Sequence, residues 1–176
     1  MKKVVFILIC TILILSMLSC DFRQKLSDKK LQELYEEAKN AINDSDKDFL
    51  YYDYSNSFVY IKKEDTEYFS DLTLNDLAIS AQDFKQNIKY MLNNMTPNEM
   101  DGYKTSTKVK YFVSLQYEPE TINDLFKTQV ESVHINCYDN SNIGIEISAF
   151  DNENNYKIEL IIGDINIENY SVVERV

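Results

Sequence analysis

The chain has 176 residues, a length typical of one domain, and its formal net charge of −11 makes it strongly acidic. An acidic surface repels nucleic-acid phosphates, so the composition excludes nucleic acid as a partner. The chain also contains only 3 glycines, which lie too far apart to form the glycine-rich loop that holds phosphates in nucleotide-binding folds.

The N-terminus has the pattern of a secretory signal. Lys2 and Lys3 precede an apolar run from Val4 to Leu18, which is shorter than the roughly 20 residues of a permanent membrane-spanning helix. The run ends at a small residue, Ser19, followed by Cys20. We therefore predict that residues 1–19 are a signal peptide removed on export. An uncleaved anchor helix and a secreted form without lipid are the alternatives.

Residues 1–21 resemble the signal peptide of bacterial lipoproteins, and Met17-Leu18-Ser19-Cys20 occupies the place of their lipobox. In that family the cysteine becomes the acylated first residue of the mature protein. The resemblance implies that Cys20 carries lipid such as palmitate and that residues 20–26 are a short tether. The protein would then be held to a bilayer outside the cytoplasm, and more than one acyl chain makes such anchoring stable.

Residues 27–176 are predicted to form one domain that begins with a helix. Apolar residues from Leu31 to Ile42 recur at helical spacing, which predicts a helix over about residues 28–43 with Ser27 as its N-cap. Residues 49–63 are rich in aromatic and β-branched residues on either side of Ser55-Asn56-Ser57. This segment predicts one or two strands around a turn.

A second helix is predicted from Thr73 to Met95, where Thr96-Pro97 stops it. It carries a continuous apolar stripe, which favours the domain core over an exposed ligand groove. The stripe consists of Leu77, Ala78, Ala81, Phe84, Ile88, Met91, Leu92 and Met95.

The last third of the chain alternates apolar and polar residues in successive short runs from Val109 onward, with a short helix expected at about residues 121–130. Short turns between the runs predict an antiparallel meander, with a closing strand near Tyr170 to Glu174. The predicted fold class is α+β, with N-terminal helices packed on a C-terminal antiparallel β-meander. Its element order is similar to that of the cystatin-like and NTF2-like folds, in which a helix crosses a curved sheet.

The residues give little support for catalysis or metal binding. Cys10 leaves with the signal, so Cys137 is left as a single thiol, which we expect to be buried. His134 is the one histidine, and strand alternation places it on the face opposite Cys137, where we expect it to face solvent. The acidic turn at Asp139–Gly144 lacks the ligand positions of a calcium loop, although calcium at Asp44, Asp46 and Asp48 is an alternative. No metal site or cofactor is predicted.

The densest aromatic region supplies a candidate interaction surface of four tyrosines: Tyr51, Tyr52, Tyr54 and Tyr60. Tyrosine combines an apolar ring with a polar tip, which suits contacts with a protein or a glycan. The same residues are also expected in strands, where their rings would pack on the sheet.

Together these features favour a membrane-anchored extracytoplasmic lipoprotein that binds or interacts at the cell envelope and is not an enzyme. The expected partners are the bilayer, through acylated Cys20, and an envelope protein or glycan. A small-ligand carrier with a pocket between the second helix and the sheet is the first alternative. An envelope hydrolase is the second.

Overall fold

A computed structural model describes residues 23–44, 46–70, 75–151 and 154–174; within these ranges the side chains of residues 75–79, 151 and 154 are left aside. The helices are α1 (Asp28–Asn43), α2 (Asn75–Asn94) and α3 (Pro119–Phe126), followed by a short 3-10 helix at Ile167–Asn169. In these ranges no helix is long and apolar enough to cross a membrane. The predicted signal peptide and Cys20 lie outside the described residues.

Within the described ranges, ten strands form one antiparallel sheet. In chain order they are β1 (Gln24–Lys25), β2 (Phe49–Asp53), β3 (Phe58–Lys63), β4 (Thr66–Phe69), β5 (Glu99–Lys104), β6 (Val109–Gln116), β7 (Gln129–Tyr138), β8 (Ile143–Asp151), β9 (Asn154–Ile162) and β10 (Val173–Glu174). Their spatial order is β1-β5-β6-β7-β8-β9-β2-β3-β4-β10. The class is therefore mixed α+β, with the sheet as the larger part.

The sequence suggested a sheet formed by the C-terminal part of the chain alone. The observed sheet also contains strands from the N-terminal half. Strands β6 to β9 form the predicted meander, but β2, β3 and β4 precede α2 and belong to the same sheet. They join it because β2 pairs along its whole length with β9, from Phe49 opposite Ile162 to Asp53 opposite Ile158. Strands β4 and β5 were not predicted, and neither shows a regular apolar alternation.

The helices cover one face of the sheet and form the main core with it. Ser27 caps α1 as predicted, its hydroxyl accepting the backbone N–H of Lys30 at 3.3 Å. The apolar stripe of α2 is buried over its described side chains, from Ala81 to Leu92. The core between the helices and the sheet includes Leu34, Ala38, Ile42, Ile88, Met91, Val113, Ile135, Ile145 and Leu160.

Helix α3 starts two residues earlier than the sequence pattern suggested and ends at Phe126. Pro119 occupies the first turn, where its fixed φ is favourable and its missing N–H costs nothing. Lys127 follows in the left-handed conformation with φ 55° and closes the helix.

In the part of the chain that the structure describes, none of α1 to α3 packs on the opposite side of the sheet, and we call that side the open face. Residues 163–172, here called the strap, return across part of this face before β10 pairs with β4. Ile165 of the strap is buried against Leu50, Val59 and Ile61, which point away from the helices. This packing closes a second, smaller apolar cluster on the open face.

Asn142 fixes the strap where it leaves β9. Its side-chain amide donates to the backbone carbonyl of Asp164 at 2.9 Å, and its oxygen accepts the Asp164 N–H at 3.0 Å. Gly163 lies beside it with φ +139°, and a Cβ there would fall 2.2 Å from Asn142 Oδ1. Glycine is therefore required both by the backbone conformation and by the close approach. Lys63 Nζ adds a bond to the Ile165 carbonyl at 3.0 Å.

Candidate functional site

A buried carboxylate lies near the middle of the open face. Glu159 of β9 is only 2 % exposed, although its side chain points away from the helix-covered core. The sheet register aligns it with Glu146 of β8 on one side and Tyr52 of β2 on the other, and Glu146 is in turn opposite His134 of β7. This row places two carboxylates, an imidazole and a phenol side by side.

Three side chains, two from strand β7 and one from the turn after β2, donate hydrogen bonds to Glu159. The amide of Asn136 donates to Oε1 at 3.1 Å, and the hydroxyl of Tyr138 donates to the same oxygen. The hydroxyl of Tyr54 donates to Oε2 at 2.8 Å. Both oxygens are therefore occupied, which is how a buried carboxylate is satisfied without a cation beside it. We call Glu159, Asn136, Tyr138 and Tyr54 the glutamate cluster.

The two tyrosines of the glutamate cluster have raised pKa values. Burial raises the pKa of Tyr54, and the nearby carboxylate of Glu159 raises it further. Burial is also the largest cause of the raised pKa of Tyr138, and Glu159 raises this pKa further. Both hydroxyls therefore remain protonated donors over the physiological pH range.

A glycine on the neighbouring strand β8 leaves room for the carboxylate of Glu159. Gly144 of β8 lies beside Glu159, and a Cβ at Gly144 would fall 2.3 Å from Glu159 Oε1 and 3.0 Å from Tyr138 Cε2. Because the three hydrogen bonds fix the carboxylate in place, any side chain at Gly144 would displace the cluster. The glycine is thus a part of the site.

An ion pair and an aromatic contact flank the glutamate cluster on its solvent side. Lys157 Nζ lies 3.0 Å from Glu146 Oε2 and 5.3 Å from the ring centroid of Tyr54. The rings of Tyr52 and Tyr54 meet edge to face, with their centroids 4.2 Å apart. Tyr54 is 44 % exposed, so the open face presents an aromatic ring and an ammonium to solvent.

His134 differs from the solvent-facing histidine that the sequence suggested. Its ring lies 4.5 Å from that of Phe112 of β6, which half-buries it, and its Nδ1 has no hydrogen-bond partner among the described residues. Burial lowers the pKa of His134; Glu146 raises this pKa and Lys157 lowers it, both to a smaller extent. Imidazole is therefore expected to stay neutral to a lower pH than in an exposed histidine.

Cys137 lies on the helix-covered face, as predicted, and is buried and unbridged. Burial raises the pKa of its thiol to about 11, so it is not a thiolate nucleophile near neutral pH. His134 lies on the other face of the same strand and cannot activate it. Among the described residues, no group of three or more histidine, cysteine, aspartate or glutamate side chains could hold a metal ion.

A small pocket opens between the strap and the glutamate cluster. Its volume is about 150 Å³, and Tyr138, Tyr170 and Ile161 are among the residues that line it. Four asparagines also line it: Asn140, Asn142, Asn166 and Asn169. Burial raises the pKa of Tyr170, and Glu159 and Tyr52 raise it further, so this phenol also keeps its proton. We call this the strap pocket.

A different pocket lies where the sequence suggested a carrier cavity, at the edge between α2 and the sheet. It has a volume of about 340 Å³ and is lined mainly by charged and polar side chains, among them Asp48, Lys62, Gln82 and Lys85. The space further inside is filled by Phe84, Ile88 and other core residues. The site is therefore a polar surface depression and not a cavity enclosed by the core.

The four tyrosines chosen from the sequence do not share one surface. Tyr51 and Tyr60 are 2 % and 1 % exposed and belong to the helix-covered core. Tyr52 and Tyr54 lie on the open face, where Tyr52 is half-buried. The period-2 alternation of β2 accounts for the separation, because consecutive residues of a strand point to opposite sides.

Sequence reasoning missed the residue around which the site is organised. Glu159 interrupts an otherwise apolar run, Ile158-Glu159-Leu160-Ile161-Ile162, and a charge inside such a strand was the available signal. Its partners Asn136 and Tyr138 share a face of β7 with His134, because residues two apart on a strand point to the same side. Comparison of the chain with protein-family models, with curated proteins and with solved structures finds no match.

Proposed function

We propose that this chain is a lipid-anchored extracytoplasmic lipoprotein that binds a partner at the cell envelope through its open face, without catalysing a reaction. The lipobox-like residues Ser19 and Cys20 support the anchor. The glutamate cluster is the observation that carries the binding role, because it is a costly polar arrangement on the one sheet face that the helices leave uncovered.

The energetics of Glu159 favour an organising role. Moving a carboxylate out of water costs several kcal/mol, and an apolar residue of similar size is often as stabilising as a buried polar group with its partners. Three donors offset this cost and are themselves fixed in return. The cluster thereby holds the rings of Tyr54 and Tyr138 in one orientation, and a rigid surface loses less entropy on binding.

The same geometry argues against a hydrolase. A general acid or base must reach the substrate, but both oxygens of Glu159 are occupied and the side chain is 2 % exposed. Its neighbour Glu146 is engaged by Lys157 at 3.0 Å. The exposed groups are instead a tyrosine ring and a lysine, which suit recognition.

Site-specific photocrosslinking in cells tests this proposal. The full chain is expressed in a bacterial host with benzoylphenylalanine, which reacts with nearby C–H bonds, in place of Tyr54. The matched control places it at Tyr90, which is 56 % exposed on α2. We expect irradiation to give envelope adducts from position 54 and not from position 90. Adducts from neither position, or equally from both, would overturn the assignment to the open face.

A further inference from the structure

We propose that the strap pocket binds the ring of an uncharged sugar. This inference rests on the proposed binding function and specifies the chemistry of the ligand.

The pocket presents amide groups that the fold leaves available. Among the described residues, the side chain of Asn169 has no hydrogen-bond partner. Asn166 and Asn140 use their side-chain oxygens to accept the backbone N–H groups of Glu168 and Asn142, at 3.1 and 3.3 Å. The amide nitrogens of both therefore stay free to donate. Donors and acceptors spaced around one depression match a ligand that carries several hydroxyl groups.

Two phenol rings form part of the wall. Tyr138 is fixed by its bond to Glu159, and Tyr170 is half-buried by the strap. A sugar ring has C–H groups on its faces and hydroxyls around its edge, so it can pack against phenol rings while its edge meets the amides. The raised pKa of both phenols keeps them uncharged.

The charge of the pocket disfavours ionic ligands. No lysine or arginine lines it, and the chain as a whole is acidic, so phosphates and carboxylates find no counter-charge. For a cation, the lining supplies the carboxylate of Asp164, which is 92 % exposed and lies 3.8 Å from Lys63 Nζ. Glu159 lies behind Tyr138, and both of its oxygens already accept hydrogen bonds. A neutral ligand with hydroxyl groups is the remaining class that these groups satisfy.

The size and rigidity of the pocket fit one ring. A volume of about 150 Å³ corresponds to about five water molecules at roughly 30 Å³ each. Hydroxyls of a bound sugar would take over the hydrogen bonds of these waters. Because Asn142 and Lys63 fix the strap, the pocket is formed before the ligand arrives.

The test uses the full chain, purified in a detergent without a sugar headgroup. Saturation-transfer NMR measures the binding of glucose, galactose, mannose and N-acetylglucosamine in turn, with choline and inorganic phosphate as charged probes. Asn169→Ala removes one pocket amide, and Asn40→Ala removes an exposed amide on α1, on the other side of the sheet. Thermal melting verifies that both variants fold like the wild type.

We expect at least one of the sugars to bind and choline and phosphate not to bind. Asn169→Ala should weaken sugar binding about two- to twelvefold, the range for loss of one neutral hydrogen bond, and Asn40→Ala should leave it unchanged. Sugar binding that Asn169→Ala does not weaken, no binding of any sugar, or binding of the charged probes would each overturn the proposal. If position 54 still crosslinks when the sugars fail, only the ligand class is wrong; if both experiments fail, the binding function itself is wrong.

Discussion

At the scale of single residues, the open face is organised by a carboxylate whose partners are neutral. Lys157 lies two residues before Glu159 on the same strand, but its ammonium is engaged by Glu146 at 3.0 Å. Glu159 is stabilised instead by two phenols and an amide. Neutral donors act over short distances only, so the arrangement depends on space and geometry more than on long-range charge.

Gly144 supplies that space, and its substitution tests the dependence. We expect Gly144→Ala to lower the free energy of unfolding by about 1–3 kcal/mol, because the new methyl group overpacks the fixed carboxylate. Most of the cost should disappear when Glu159→Ala is also present, since the nearest atom, Glu159 Oε1 at 2.3 Å, is then absent and Tyr138, 3.0 Å away, is released from its hydrogen bond to Glu159. Denaturant melts of the two single variants and the double variant measure this coupling. An equal cost of Gly144→Ala in both backgrounds would show that Glu159 does not occupy the space beside Gly144.

His134 predicts a pH dependence of stability. Its pKa is lowered in the folded protein, so the unfolded chain takes up the proton first as the pH falls through the ordinary histidine value of 6.5. The folded state is therefore destabilised below that pH and unaffected well above it. His134→Phe keeps the ring contact with Phe112 and removes the titration. The free energy of unfolding of both proteins is measured in urea from pH 8 to pH 5.5. The carboxylates contribute to both proteins alike, so the wild type should lose more stability than the variant because it alone has the histidine that titrates. Parallel pH curves would contradict the prediction.

At the scale of elements, the apolar periodicity of the sequence predicted the helices and strands that pack in the core. Helix α1 and the strands β6 to β9 follow their apolar spacing, and the stripe of α2 is buried over its described side chains. Strand β5 was not predictable in this way, because Glu99–Lys104 pairs through its backbone and has mixed burial. Gly102 there allows close approach, since a Cβ would fall 2.4 Å from the Phe112 carbonyl.

The glutamate cluster was not predictable from the sequence because its members meet only through sheet register. Tyr54 follows β2, while Asn136 and Tyr138 belong to β7 and Glu159 to β9, and these strands are separated by long stretches of chain. The pairing of β2 with β9 closes the distance. Alternation along each strand gives the face on which a residue lies, but not its neighbour on the next strand.

Helix α2 gives a direct test of the core. Phe84 is 8 % exposed, and its ring lies 5.6 Å from that of Tyr51. We expect Phe84→Ala to lower the free energy of unfolding by about 3–5 kcal/mol, enough to unfold a marginal domain. Gln86→Ala, at an exposed position of the same helix, should change it by less than about 0.5 kcal/mol. Similar denaturant midpoints for the two variants would place Phe84 outside the core.

Lys85, the residue next to Phe84, is a less suitable control for that experiment. Its ammonium lies 4.0 Å from the ring centroid of Phe49, and burial lowers its pKa, with a further decrease caused by Lys62 and Lys89. A half-buried lysine of this kind packs its methylene stem against the core. Lys85→Ala is therefore expected to be more costly than Gln86→Ala.

At the scale of the whole molecule, the described chain enters and leaves at opposite edges of the sheet. Strand β1 pairs with β5 at one edge, and β10 pairs with β4 at the other. Neighbouring strands are about 4.8 Å apart, so the two edges are separated by roughly 40 Å along the curved sheet. A lipid on Cys20 would attach just before the β1 edge, and β4 and β10 would then lie at the edge farther from the anchor.

The anchor itself is tested by metabolic labelling with palmitate. If the lipobox resemblance holds, the full chain expressed in a bacterial host incorporates the label at Cys20, and Cys20→Ala abolishes it. Two cysteine variants serve as controls. Cys10→Ala should keep the label because Cys10 leaves with the signal, and Cys137→Ala should keep it because that thiol is buried. Labelling is a sharper readout than membrane partition, since an uncleaved signal could hold the Cys20→Ala chain in the membrane. Label that persists in Cys20→Ala would place the lipid elsewhere. In that case the short tether and the geometry derived from it would both be wrong.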